Sequence, residues 1–269
     1  MNIGITGSTG SLGIVVKKKF KKLKLISYRG DIIDRNRIFK WFDKYNLKAI
    51  IHLAAIVPIK KVNKNKIKAR EVNLNGTKNI VDACIKHNIK WMFYSSTSHV
   101  YKPSKKKISE NFTKKPISYY GKTKLEAEDY IIKKFKKSKI PYCIGRIFST
   151  TSKNQKQSYL VPDLKKKIRY SNSKIVLKNL NHYRDFISME DIAKIMLHLY
   201  KLRYKGIVNI ASGQNTYLKD IALIILKKYK KNNYEFIDNP IATSLGGNIT
   251  KLKKIKNFKI VKSIERLIF

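Results

Sequence analysis

Short apolar runs alternate along this chain with longer stretches in which apolar residues return every three or four positions. A continuous apolar run fits a strand buried on both faces, and a three-to-four repeat fits a helix with one buried stripe. Residues 2–6 predict a first strand, joined by a glycine turn to a helix running from Ser11 to Lys22. Leu23 to Tyr28 predicts a short second strand, Arg35 to Tyr45 a helix, and Lys48 to Ala55 a buried third strand. Val72 to His87 has helical spacing and Trp91 to Ser96 is strand-like. Tyr120 to Lys137 predicts a long helix and Ile140 to Phe148 a fifth strand. Strands and helices in alternation are the pattern of repeated βαβ units around a parallel sheet.

Beyond Phe148 the alternation loosens. Residues 149–158 are polar and predict a loop. Leu160 to Ile168 and Tyr217 to Lys230 predict helices, as does Asp191 to Leu202, with Ser188 as its cap. Lys174 to Leu180 and Gly206 to Ala211 predict strands. The expected class is α/β: a Rossmann-type, doubly wound parallel sheet with a smaller C-terminal substrate-binding region. Residues 1–148 are expected to form the nucleotide domain. Residues 149–269 are expected to be mainly the substrate region, with about 184–211 packing back on the nucleotide domain.

Composition narrows the class. Hydrophobic residues make up 43% of 269, enough for a core and too many for a disordered chain. There are only two cysteines, Cys84 and Cys143, and no histidine pair at metal-ligand spacing, so neither a disulfide framework nor a metal site is expected. No basic segment and apolar run precede the first strand, and no apolar stretch approaches the roughly 18 residues of a membrane span. A soluble cytoplasmic protein is the expectation.

Charge adds one complication. There are 60 basic and 17 acidic residues, a formal net charge of +43. Such a balance suggests nucleic-acid binding. Only nine of the 60 are arginine, however, the better residue for forked phosphate and base contacts, and the lysines are spread along the whole chain. They read as solvated helix faces, and no nucleic-acid partner is expected. A positive field would favour an anionic diphosphate substrate.

The first turn carries the clearest chemistry. Gly7, Gly10 and Gly13 lie between the first strand and the first helix. In that context one glycine allows the tight turn, the next a close approach of backbone to a pyrophosphate, and the third close helix–strand packing. The helix terminus then offers N–H groups and a positive dipole end. An acid ending the second strand would favour NAD, but the strand ends Ser27-Tyr28-Arg29. Arg29 could pair with a 2′-phosphate, which leans the choice between NAD and NADP slightly toward NADP. Asp31 is placed toward the adenine.

Tyr-x-x-x-Lys occurs four times, at Tyr101/Lys105, Tyr120/Lys124, Tyr130/Lys134 and Tyr170/Lys174. About three would arise by chance in so lysine-rich a chain, so spacing alone decides nothing. Tyr120/Lys124 stands apart because it opens a helix after the fourth strand, where i and i+4 share a face. A phenol with a pKa near 10 is a poor base at neutral pH, and an adjacent ammonium favours its phenolate. Such a phenol can exchange a proton with a sugar hydroxyl while hydride passes to or from a nicotinamide. Thr97 ends the fourth strand at the edge where ligands sit, and its hydroxyl could reach the reacting oxygen or cap the strand end.

Taken in order, these segments resemble the extended short-chain dehydrogenase/reductase family, in its nucleotide-sugar epimerase/dehydratase branch. The resemblance runs through Gly7-Ser8-Thr9-Gly10-Ser11-Leu12-Gly13, Gly30-Asp31-Ile32, His52-Leu53-Ala54-Ala55 and Asn73 to Thr77. It continues through Ser95 to Tyr101, the Tyr120/Lys124 pair and Arg184-Asp185-Phe186. It implies a catalytic set of Thr97, Tyr120 and Lys124. It implies cofactor contacts from Gly7, Gly10, Ser11, Leu12, Gly13, Arg29, Asp31, Ile32, Leu53, Ala54, Ala55 and Asn73, beside Tyr120 and Lys124. For a nucleoside-diphosphate sugar it implies Thr97, Ser98, His99, Tyr120, Ser149 and Leu160, with Arg184 on the diphosphate.

Departures from the family pattern refine this. Dehydratases of the family carry Asp-Glu after the catalytic threonine, where this chain has Ser98-His99, so a 4,6-dehydratase is not expected. Arg146-Ile147-Phe148-Ser149 has serine in place of a substrate-facing asparagine, and Tyr159-Leu160 replaces Asn-Leu. The implied activity is a 4-epimerase or 4-ketoreductase, expected as a homodimer. The rivals are a non-catalytic dinucleotide sensor on the same fold and a basic nucleic-acid-binding protein.

Overall fold

The computed structural model describes residues 1–152, 155 and 159–269. The loop expected over residues 149–158 therefore lies in part outside the described residues. In chain order the first half runs β1 (Ile3–Thr6), α1 (Ser11–Lys19), β2 (Leu25–Ser27), α2 (Arg35–Tyr45), β3 (Ala49–His52), α3 (Ile59–Lys64) and α4 (Lys66–Arg70). A π-turn (Glu71–Gly76) leads into α5 (Thr77–Lys86) and β4 (Trp91–Thr97). A 3-10 turn (Ser98–Val100), α6 (Tyr119–Ser138) and β5 (Tyr142–Ile147) follow. The second half runs β6 (Ser149–Thr151), α7 (Leu160–Tyr170), β7 (Ile175–Lys178), β8 (Tyr183–Ser188), α8 (Met189–Lys201) and β9 (Gly206–Ile210). It closes with β10 (Asn215–Tyr217), α9 (Leu218–Lys228), β11 (Tyr234–Ile237), β12 (Ser244–Leu245), α10 (Thr250–Ile255) and α11 (Ile264–Ile268).

The chain forms two compact units. The first comprises Met1–Lys102, Thr113–Ile147 and Met189–Val208. Its six-stranded sheet has the order β2-β1-β3-β4-β5-β9, with β1 to β5 paired in parallel. The order reverses at β1, and in such sheets a ligand binds outside the carboxyl ends at the reversal. Ile38, Trp41 and Phe42 of α2, Ile80, Val81 and Cys84 of α5, and Ala127, Ile131 and Phe135 of α6 share one core with Ile50, Met92 and Ile144 of the sheet. Asp34 caps α2 by accepting from Arg37 N–H at 2.9 Å, and the left-handed Asn46 ends it. The register sets Thr6, His52, Tyr94 and Ile144 in one row across four strands, so their side chains are neighbours on one face.

The second unit comprises Pro103–Phe112, Phe148–Ser188 and Asn209–Phe269. Strand β8 pairs antiparallel with β10 and parallel with β12 and β6, and β7 pairs with β11. Apolar faces of α7, α9 and α11 close over Ile175, Leu177 and Phe186. The Asp185 carboxylate accepts from Ser212 N–H at 2.8 Å, Ser212 Oγ at 2.6 Å, Gly213 N–H at 2.9 Å and Gly247 N–H at 3.2 Å. One buried acid thus fastens two turns to β8.

The α/β class, with a Rossmann-type parallel sheet and a smaller C-terminal mixed-sheet region, is the one expected. Three local features differ. Residues 149–151, expected within a loop, form the short strand β6 beside β8. The helix expected from Val72 starts as a wide π-turn and becomes α-helical only at Thr77. Helices α3 and α4 fill residues 59–70, where lysine and asparagine leave no apolar stripe to reveal them. Among the described residues, no helix is long and apolar enough to cross a membrane, and no cluster of His, Cys, Asp or Glu could hold a metal ion.

Candidate active site

In the first unit the glycine turn leaves β1 through Gly7, whose φ of +69° is left-handed. A Cβ there would meet Ala54 N at 2.7 Å and Leu53 C at 2.8 Å. Leu53 and Ala54 therefore lie directly against the turn, and only glycine fits between them. Gly10 N–H donates to Gly7 O at 3.1 Å and caps α1 through its backbone alone, while Gly13 is buried one turn into the helix. Ser11, Leu12 and Gly13 stand in the first turn, where N–H groups have no intrahelical acceptor. This glycine-punctuated turn at a helix terminus fits a dinucleotide pyrophosphate.

Beyond β2, Tyr28 is buried against Trp41, with ring centroids 5.1 Å apart, and donates to Asp31 O at 3.1 Å. Asp31 Oδ1 accepts from Ile33 N–H at 3.0 Å, and Ile32 is buried against Gly76. Arg29 is exposed.

A run of hydrogen bonds ties this loop to the helix carrying Tyr120. Thr6 Oγ1 accepts from Ala54 N–H at 3.3 Å and lies 2.6 Å from His52 Nδ1. His52 Nε2 lies 3.0 Å from Thr77 Oγ1, which donates to Asn73 O at 2.8 Å. The single Thr77 proton is committed to that carbonyl, so His52 carries its proton on Nε2 and accepts at Nδ1 from Thr6. Burial, and then the Lys124 charge, push the imidazole down to about 3, which keeps it neutral. Asn73, on the π-turn, accepts from Ile56 N–H at 2.7 Å and donates to Thr123 Oγ1 at 3.4 Å. Thr123 in turn donates to Tyr120 O at 2.8 Å.

Helix α6 begins at its Ser118 cap, which accepts from Gly121 N–H at 3.1 Å. Its first turn presses on the 3-10 turn, and the rings of Tyr120 and His99 meet edge-on with centroids 6.1 Å apart. Thr97 Oγ1 accepts from His99 N–H at 3.3 Å, so that hydroxyl caps the turn, and Ser98 is buried inside it. Lys124, one turn after Tyr120, is 2% exposed, and its Nζ stands 4.1 Å from the centroid of the Tyr94 ring. Burial pushes this ammonium down to about 7 against the pull of the Glu128 carboxylate.

One turn further on, Glu128 accepts from Arg146 Nη2 at 2.7 Å and from Arg146 Nε at 3.1 Å, and also bonds Ser96 Oγ. Arg146 Nη1 donates to Tyr101 Oη at 2.9 Å. Both charged groups are essentially fully buried. Although desolvation lowers its pKa, Glu128 holds the guanidinium above its ordinary value.

The remaining site candidates belong to the second unit. Ser149 opens β6 opposite Phe186, and Leu160 opens α7 partly exposed. Arg184 donates to Thr243 O at 3.0 Å and Thr243 Oγ1 at 2.9 Å. Burial pushes its guanidinium down to about 10, so it stays charged at neutral pH, and among the described residues no carboxylate lies within 4 Å of it.

The structure thus gathers the glycine turn, Leu53 to Ala55, Asn73, Thr97, His99, Tyr120 and Lys124 within one unit. Sequence reasoning missed the bridging His52, the Tyr94 ring, Thr123 and the Glu128–Arg146 pair. The i+4 repeat Tyr120, Lys124, Glu128 was the available signal for Glu128.

The model of the NAD dependent epimerase/dehydratase family matches residues 4–211. The GDP-6-deoxy-D-talose 4-dehydrogenase of Aggregatibacter actinomycetemcomitans is 27% identical over 224 residues, covering 79% of this chain and 75% of that protein. Among solved structures, the UDP-glucose 4-epimerase of Thermus thermophilus in complex with NAD superposes with a TM-score of 0.87 at 16% identity, covering 99% of this chain and 97% of that one. The protein RMD of Pseudomonas aeruginosa complexed with NADPH also gives 0.87, at 18% identity, covering 99% and 96%.

Proposed function

The chain belongs to the NAD dependent epimerase/dehydratase family and is an enzyme of nucleotide sugars, and on that premise we propose that it acts at C4 of the hexose of a nucleoside-diphosphate sugar, as a 4-epimerase or 4-ketoreductase. The observation that carries this reading is Tyr120 in the first turn of α6, edge-on to His99, with the buried Lys124 ammonium one turn behind it. The bound dinucleotide supplies the hydride acceptor and donor. Tyr120 takes the proton of the sugar hydroxyl on oxidation and returns it on reduction, because a neighbouring ammonium favours the phenolate. Thr97 orients the reacting oxygen, and Asn73, through Thr123, holds the start of α6 in place.

For the substrate diphosphate we assign Arg184, whose charge has no acidic partner among the described residues. Ser98 and His99 lack the acid–base pair of a dehydratase. The relative that acts as a 4-dehydrogenase and the neighbour that is a 4-epimerase support position 4. Arg29, exposed beyond β2, favours NADP over NAD. The lysines act as solvated faces and as a field for the anionic substrate.

The test is a full-cycle assay with UDP-glucose, GDP- and dTDP-hexoses, and with their 4-keto forms in the reductive direction. Product without added reductant identifies the epimerase, and stoichiometric NADPH oxidation the ketoreductase. Tyr120→Phe is expected to lower turnover by about 10²–10⁴-fold while leaving dinucleotide binding intact. Absence of binding to both NAD(H) and NADP(H) would overturn the reading.

A further inference from the structure

We propose that Tyr94 is a positioning residue for Lys124: the face of its ring seats the buried ammonium and keeps it charged on the helix face shared with Tyr120. The proposal rests on the reading of Tyr120 and Lys124 as the proton-transfer pair.

A buried ammonium needs a compensating partner, and Glu128 acts on this one only from a distance. Among the described residues no carboxylate lies within 4 Å of Lys124 Nζ. The nearest acid, Glu128 on the same helix, is engaged by Arg146 and Ser96. From β3, His52 is neutral, and a charge on it would oppose the lysine. The π-turn sets the uncharged Asn73 against Thr123 and the 3-10 turn sets His99 against Tyr120, while β4 sets the Tyr94 ring against the ammonium itself. A cation over an aromatic face is attracted by the ring quadrupole, most strongly when desolvated.

Tyr94 is well placed to hold a fixed geometry. It is buried in the row Thr6–His52–Tyr94 and stacked on His52, with centroids 5.7 Å apart and planes at 28°. Burial and the Glu128 carboxylate push its phenol well above the usual range, so the ammonium meets a neutral ring at every working pH. Without that ring the lysine would shed its proton at lower pH, and Tyr120 would lose its positive neighbour.

The experiment reads the ionisation midpoint of Lys124 in the full chain without cofactor. Isotope labelling with 13Cε-lysine and NMR across the neutral and alkaline range, with the Lys124 resonance assigned by its loss in Lys124→Met, isolates this lysine from the others. Tyr94→Phe should leave the midpoint in place. Replacement of Tyr94 by mono-, di- and pentafluorinated phenylalanines keeps the shape while draining the ring face. The midpoint should then fall stepwise, by about one pH unit in all. A midpoint that stays flat across the fluorinated series overturns the proposal, because a purely structural ring would alter melting temperature alone. NADH and NADPH titration of the unsubstituted protein separates the two readings: failure to bind refutes the oxidoreductase, whereas the fluorinated series tests the seat independently.

Discussion

Gly121 rests directly on the carbonyl group of His99, so close that any Cβ at this position would fall inside contact distance of the oxygen. That approach is what lets the first turn of α6 sit on the 3-10 turn and brings Tyr120 beside His99. Gly121→Ala must push the two apart. Since a displacement of about 1 Å can cost on the order of 10²-fold in rate, turnover should fall by that amount. With the pyrophosphate on the glycine turn, as proposed, NADPH affinity should change less than turnover. Steady-state rates and a fluorescence titration check both halves.

Lys124→Met should trade activity for stability. In the folded chain this lysine titrates at about 7, against 10.5 for an ordinary lysine. Between those values the unfolded chain binds more protons, so the wild-type chain gains stability as pH rises through the window. Methionine removes the burial cost, and Glu128 is not orphaned because Arg146 still neutralises it. The variant should melt a few degrees higher at neutral pH (~2–4 °C per kcal/mol), and the gain should vanish near pH 10.5. Thermal scans at several pH values test this.

His52→Gln is expected to flatten the acid side of the stability profile. The imidazole is held neutral down to about 3, whereas an unfolded histidine protonates near 6.5. The unfolded state thus takes up a proton in this interval, and the wild type loses stability as pH falls from 6.5 toward 3. Glutamine can donate to Thr77 and accept from Thr6 without titrating. Urea unfolding across that interval should show a shallower loss for the variant.

Arg184→Ala should raise the KM for the nucleotide sugar with little effect on kcat. A charge-assisted hydrogen bond is worth about 1.5–3 kcal/mol, or roughly 10–100-fold in affinity. An unchanged KM would remove Arg184 from the diphosphate role.

The sequence was most readable where the pattern is long or the backbone is constrained. The βαβ alternation of residues 1–148, the glycine turn at Gly7 and the Ser118-capped α6 each have a single low-energy reading. Short elements were not readable: β6, β10, β12, α10 and α11 have too few residues to display a period. Tyr120 and Lys124 were paired in the sequence because they share a helix. Tyr94 and His52 were not, because their roles come from strand register, which aligns residues far apart in sequence. Arg146 was visible only as part of a segment, and its partner Glu128 looked like any helix-surface acid until burial was known.

The π-turn at Glu71–Gly76 holds one residue more than an α-helical turn would need, and Asn73 sits within it. Each residue advances an α-helix by about a hundred degrees. Trimming a single position there would make the helix more regular and swing Asn73 away from Ile56 and Thr123, severing the segment after β3 from the start of α6. The irregularity is therefore a spacer that sets phase, and the chain is least tolerant of length change where its geometry is least ideal.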